Sequence, residues 1–146
     1  REVVLAEEAV EAVHESGVKL RGYPDRVEKL DDGSYLIVDF KTGSNIGHLQ
    51  DDIDTCLQVV ISAYMLEQKG YKVSGGAFRY IRPGETVSCK YDEEMKQALD
   101  EKMNIFRDAM LNGDFPLAQM PAEGEQDPCK FCKYGSVCGK VTEGEE

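Results

Sequence analysis

The segment Ile37-Val38-Asp39-Phe40-Lys41 sets an aspartate and a lysine two positions apart. Side chains on a strand alternate between faces, so Ile37, Asp39 and Lys41 project one way and Leu36, Val38 and Phe40 the other. The latter three are expected to enter the core. Gly43 follows and lets the chain turn away, leaving room for a ligand. Asp25 stands fourteen residues before Asp39, and Asp31-Asp32-Gly33 between them is a turn signal. Pairing two strands about that turn brings Asp25 to Asp39. Two carboxylates converging beside an ammonium suit phosphodiester hydrolysis. Hard oxygen donors hold Mg²⁺ or Mn²⁺. The cation polarises the phosphate and helps to generate hydroxide. The lysine orients or deprotonates the water and stabilises the charge that develops. Taken alone, Asp-x-Lys at a strand end is more often a solvated ion pair.

A second group lies near the end of the chain. Cys129, Cys132 and Cys138 form C-x2-C-x5-C, a spacing at which thiols can share one metal centre. Three ligands are one short of four, and zinc is the usual occupant of an intracellular C-x-x-C. Cys56 and Cys89 sit in apolar patterns and are expected to fill core positions. This uneven set of five cysteines does not suit a secreted disulfide framework. His14 and His48 are isolated and are expected to be structural or exposed.

The elements that must position these residues follow from pattern. Val3 to Leu30 is mostly extended, with a turn at Ser16-Gly17 and an interruption at Pro24. Tyr35 to Lys41 returns as the second strand of a hairpin. A helix is expected over Asp54 to Lys69, with Leu57, Val60, Ile61, Tyr64 and Met65 on one face and Gly70 ending it. Val73 to Ile81 and Glu85 to Tyr91 read as strands around Arg82-Pro83-Gly84. Asp92-Glu93-Glu94 favour a helix N-terminus, and Met95, Leu99, Met103, Phe106 and Met110 carry that helix to Gly113. The order gives a mixed α/β domain with a central sheet. From Pro116 onward, Pro, Gly and acidic residues dominate.

Composition sets limits. The formal net charge is −11, from 17 basic and 28 acidic residues. Free-standing DNA binders are usually basic, so tight DNA binding by this chain alone is not expected. No apolar run is long enough to span a membrane, no secretory signal is visible, and a cytoplasmic location is expected. The chain starts at Arg1 rather than Met, and a larger parent protein is expected to supply further DNA affinity.

Gly22-Tyr23-Pro24-Asp25-Arg26-Val27-Glu28, followed by Asp39-Phe40-Lys41-Thr42-Gly43, resembles the paired signature G-x-x-D-R-x-D/E and D-Y/F-K-T/S-G of RecB-like nucleases in the PD-(D/E)XK superfamily. The resemblance runs from about Leu20 through Cys138. It implies a restriction-endonuclease-like core, a central mixed sheet flanked by helices, over residues 1–120, and a cysteine-rich tail over 121–146. Asp25, Asp39 and the Phe40 carbonyl are then metal ligands, and Lys41 is catalytic. Gln58 matches a glutamine on the following helix, but Ser62 stands where the family has a tyrosine. The family's metal-binding histidine is expected upstream of Arg1. The tail resembles the end of the iron–sulfur staple in AddB-type and CRISPR-associated exonucleases. Cys129, Cys132 and Cys138 would thus bind a 4Fe–4S cluster with an upstream cysteine. The implied function is a Mg²⁺- or Mn²⁺-dependent DNA exonuclease joined to a helicase domain or partner subunit in DNA repair. A CRISPR-associated exonuclease, a non-catalytic DNA-end-binding module that kept the fold and a zinc-stapled interaction domain are the alternatives.

Overall fold

A computed structural model of the chain describes residues 2–44, 46, 52–115, 129 and 132–134. Its elements run β1 (Glu2–Leu5), β2 (Val10–Val13), β3 (Lys19–Gly22), β4 (Arg26–Lys29), β5 (Tyr35–Lys41), α1 (Ile53–Glu67), β6 (Val73–Tyr80), β7 (Glu85–Cys89) and α2 (Glu93–Asn112). A five-stranded mixed sheet has the order β1-β4-β5-β6-β7, and β2 and β3 form a separate hairpin. Only β5 and β6 run parallel, joined through α1, as a parallel pair requires a crossover. The α/β class and central sheet expected from the pattern are present. The chain divides into two compact units, Arg1–Asp108 and Ala109–Glu146. The sheet and α1 belong to the first. In the second, the Cys132 N–H donates to the Cys129 carbonyl at 3.1 Å, which closes the C-x-x-C turn.

Local chemistry fixes the hairpin register on which the site depends. Gly33 takes the left-handed conformation at φ 80°, which only glycine adopts without strain. The Asp32 carboxylate accepts both the N–H and the hydroxyl of Ser34, at 2.9 and 2.6 Å. The Ser34 hydroxyl bond, more than any other contact, holds the Asp32 carboxyl below its ordinary range. The Leu30 N–H donates to Ser34 O at 2.8 Å and closes the turn. From there Glu28 pairs with Leu36 and Arg26 with Val38. The first long extended stretch is split at Pro24, as expected. Before Pro24, β1 stays in the main sheet beside β4, the β2–β3 segment leaves it as a separate hairpin, and β4 alone of these strands pairs with β5.

The α1 helix is capped by Asp52, whose side chain accepts from the Asp54 and Thr55 N–H groups. At its other end, Gly70 at φ 88° stops the helix, and the Tyr71 N–H returns to Leu66 O at 3.1 Å. The helix presses closely on the sheet. A Cβ on Gly76 would lie 2.2 Å from Val59 Cγ1, so hydrogen is the only side chain that fits. Outside α1 lie α2 and the β2–β3 hairpin. Lys96 of α2 pairs with Glu67 of α1 at 3.0 Å, and Asp100 of α2 meets His14 of the hairpin at 2.8 Å.

This layering bears on the expected faces of β5 and α1. The face of β5 turned toward α1 carries Ile37, Asp39 and Lys41; Leu36, Val38 and Phe40 lie on the opposite face. Ile37 belongs to the core cluster together with Val27, Phe78 and Val59. A strand covered on one face by a helix puts its charged end residues there when a site opens beyond the helix, and alternation alone cannot choose the face. In α1 the buried set is Cys56, Val59, Val60, Ser62, Ala63, Met65 and Leu66, whereas Leu57, Ile61 and Tyr64 are half-buried. A helix packed on both sides shows no single stripe. In α2, Met95, Leu99 and Met103 are buried, but Phe106 and Met110 are 47% and 60% exposed.

The Gly76–Val59 contact gives a stability prediction. Gly76→Ala overpacks the sheet–helix seam and should cost about 1–3 kcal/mol, read as a lower urea midpoint at unchanged slope. Combining it with Val59→Ala should recover part of that loss. Additive costs in the double variant would show that the two positions do not share the seam.

Candidate active site

The site is built at the C-terminal end of β5. Asp39 is 5% exposed although it carries a carboxylate. One carboxylate oxygen, Oδ2, lies 2.7 Å from Lys41 Nζ. Among the described residues no donor meets that oxygen with hydrogen-bond geometry, so the lysine touches it as charge and not as a directed bond. Lys41 is itself half-buried and lies 5.1 Å over the Phe78 ring. Residues two apart on one strand share a face, which is why the pair meets at all.

Asp25 arrives by a different route. It sits just before β4, and the register places it opposite Asp39. One step further, position 24 stands opposite Phe40. In an antiparallel ladder those two residues would exchange N–H···O bonds. Pro24 has no N–H to give, and its carbonyl accepts instead from Glu7 N–H at 3.1 Å. The Phe40 N–H therefore turns to the Asp25 side chain and donates to Oδ2 at 2.8 Å. The Phe40 carbonyl points to the same strand edge, where proline leaves no ladder donor. On the other edge, Lys41 O accepts from Ile81 N–H at 2.9 Å, as strand alternation demands. The result is that Asp25 and Asp39 face each other across the β4–β5 pair, with the Phe40 carbonyl on the edge of β5 beside Asp25.

A small recess is lined by Pro24, Asp25, Ile37, Val38, Asp39, Gln58, Val59 and Ser62. It brings Gln58 to the two carboxylates. Ser62 lies one helical turn on, buried, its hydroxyl bonded to Gln58 O at 2.9 Å. Tyr64 faces elsewhere and stacks on His14 at 4.9 Å between ring centroids.

The donor set can be tested against a divalent cation. Among the described residues, no three His, Cys, Asp or Glu side chains converge as a metal-holding group. Mg²⁺ does not need such a group, because it keeps several waters and is usually held by one or two carboxylates plus substrate phosphates. The buried Asp39 Oδ2 without a hydrogen-bond donor is what a hard cation would satisfy. Asp25, Asp39 and the Phe40 carbonyl fit that role.

The histidines and cysteines fall outside this recess or outside the described residues. His14 accepts the Ser16 N–H on Nδ1 at 3.1 Å, so its ring proton sits on Nε2 and goes to Asp100. His48 and Cys138 lie outside the described residues. Cys56 and Cys89 are buried in the core, and burial, reinforced by hydrogen bonding to Cys56, pushes the Cys89 thiol well up. Such thiols pack rather than ligate.

The sequence did not reveal what stands behind β5. Arg79 of β6 forks onto Glu28 of β4 with bonds of 2.6 and 2.8 Å, and Glu28 is 4% exposed. Arg26 lies 3.6 Å from the same carboxylate and 5.1 Å over the Phe40 ring. The fork straps β4 to β6 across β5, and no local signal in the sequence links residues 51 apart.

No helix among the described residues is long and apolar enough to cross a membrane. Comparison with curated proteins finds no match. The sequence profile of the PD-(D/E)XK nuclease superfamily matches residues 1–139 of the 146. Members of this superfamily are phosphodiester-cleaving nucleases and generally use divalent metals. The fold agrees with that match, and the chain belongs to the PD-(D/E)XK nuclease superfamily.

Proposed function

We propose that this chain is the nuclease domain of a RecB-like DNA exonuclease, with Asp25, Asp39 and the Phe40 carbonyl as ligands of Mg²⁺ or Mn²⁺ and Lys41 as the catalytic base or charge stabiliser. The observation that supports this reading is that Asp25 and Asp39 line one recess, with Lys41 Nζ 2.7 Å from Asp39 and the Phe40 N–H bonded to Asp25. The bound cation would supply Lewis acidity to the scissile phosphate and lower the pKa of water. Asp25 and Asp39 hold their oxygens in place, Asp25 by its bond from Phe40 N–H and Asp39 by its burial in the strand. Lys41 can swing from Asp39 toward a phosphate oxygen, since its outer side meets solvent. Gln58 faces the same recess and would orient the substrate strand or the attacking water. Helicase linkage in DNA repair is the context favoured by the sequence resemblance, with a CRISPR-associated exonuclease as the neighbouring one.

The nuclease core is proposed to end near residue 120, with 121–146 as a tail stapled by a 4Fe–4S cluster. Cys129 and Cys132 share one closed turn, which supports a common ligand. Cys56 and Cys89 are held in the core and are not proposed as the fourth ligand.

A non-catalytic DNA-end-binding module is the rival, and Ser62 at the family's tyrosine position favours it. Activity separates the two. The full-length protein should degrade DNA only with Mg²⁺ or Mn²⁺, and Asp39→Ala should cost more than ~100-fold. Asp25→Asn should keep the Phe40 N–H bond and the unfolding midpoint in chelator, but lose the midpoint rise that Mn²⁺ gives the parent. Unchanged cleavage in Asp39→Ala would remove the assignment.

Lys41→Ala should lower kcat by about 10²- to 10³-fold with little change in metal affinity by calorimetry. Weakened metal binding with normal turnover at saturating metal would contradict the role given to the ammonium.

For the tail, anaerobic purification of the full-length protein should yield iron and sulfide, lost when Cys129, Cys132 and Cys138 are replaced by serine. Stoichiometric zinc without iron would refute the cluster.

A further inference from the structure

Beside the carboxylate recess runs an open cleft of about 510 Å³ between α1 and the Arg21–Tyr23 segment. The two share Gln58 and Ser62. The floor is apolar: Leu57, Ile61 and Met65 recur every four residues and fall on one side of the helix. Leu57 and Ile61 are half-buried because they pack against the core and also line the cleft. The rim carries Tyr23, 56% exposed, and the Arg21 guanidinium 5.6 Å from its ring centre. Arg21 also pairs with Glu11 at 3.0 Å, but both side chains are more than half exposed, so water and salt weaken that pair.

A half-exposed aromatic ring with a guanidinium over one face, next to an apolar floor, is matched by a flat heteroaromatic group that carries a phosphate: the base takes the ring's other face or displaces the guanidinium toward the phosphate. Tyr23 stands two residues from Asp25, roughly 7 Å along an extended backbone. A strand whose phosphate sits between Asp25 and Asp39 therefore has its neighbouring nucleotide within reach of the ring. Charge alone cannot hold it, since the chain is at −11 and Asp54 also lines the cleft. Stacking, which does not depend on net charge, can.

We infer that this cleft is a nucleobase subsite of the substrate strand, in which Tyr23 stacks on an unpaired base next to the scissile phosphate and Arg21 contacts the backbone. This rests on the nuclease reading for the identity of the neighbouring site. It adds a strand requirement: a base already paired and stacked in a duplex offers no free face, so the subsite accepts single-stranded DNA.

The chain has no tryptophan, which makes Tyr23→Trp a reporter at this position. In chelator, where nothing is cleaved, single-stranded oligothymidine should quench the new indole fluorescence saturably. A blunt duplex of equal length should do so only at about tenfold or higher concentration. Under cleavage conditions Tyr23→Ala should raise KM about 5- to 100-fold at nearly constant kcat, and Tyr23→Phe should restore it. DNA binding seen by anisotropy without quenching, equal quenching by duplex, or an unchanged KM in Tyr23→Ala would each overturn the subsite. Quenching by single strands in a protein that cleaves nothing at any metal concentration would uphold the subsite and overturn the nuclease reading instead.

Discussion

The candidate site depends on what happens to the backbone of β5 after Val38. Up to that residue, its edge toward β4 is paired in an ordinary ladder. At Phe40 the ladder partner is Pro24, whose carbonyl accepts from the Glu7 N–H instead, and the Asp25 carboxylate takes the Phe40 N–H in that carbonyl's place at 2.8 Å. That substitution of side chain for backbone pins Asp25 against β5, while the missing N–H of Pro24 leaves the Phe40 carbonyl at the same edge without a ladder donor. The acidic pair and the open carbonyl are thus consequences of a single proline next to a single aspartate.

That arrangement holds only if β4, β5 and β6 keep their register, and the rest of the fold secures it. The Asp32–Ser34 turn sets the hairpin at one end. Behind β5, the Glu28–Arg79 fork ties the strands on either side of it. Removing one partner of such a buried pair costs about 3–5 kcal/mol, because the other charge stays behind uncompensated. On the front, Val59 fills the space left by Gly76, which sets the depth at which α1 sits and hence the position of Gln58 over the carboxylates. The buried Asp39 is the part of the site this scaffold has to support against desolvation.

Much of this was legible in the sequence. The β5 limits, the Asp31-Asp32-Gly33 turn and the Gly70 stop follow from strong local signals, and the turn alone predicts that Asp25 meets Asp39. The face of β5 was not legible. Period-two alternation says which residues go together but not which side the helix covers, and the core-like look of Leu36, Val38 and Phe40 pointed the wrong way. In α1 the spacing of Leu57 and Ile61 gave a common face, but not that this face also lines a cleft. Arg79 and Glu28 were invisible for another reason: they are far apart in sequence, and each alone resembles a surface charge. Pro24 was recognised as an interruption, but its effect on the Phe40 carbonyl needs the register, which only the folded hairpin provides.

The most direct test is crystallographic. Crystals of the protein soaked in Mn²⁺ and measured at the manganese absorption edge locate the ion by its anomalous scattering. The predicted result is a single strong peak within coordination distance of Asp25, Asp39 and the Phe40 carbonyl oxygen, with water completing the shell. A protein whose Mn²⁺ peaks all lie elsewhere, with the Phe40 carbonyl bonded to a protein donor, would contradict it.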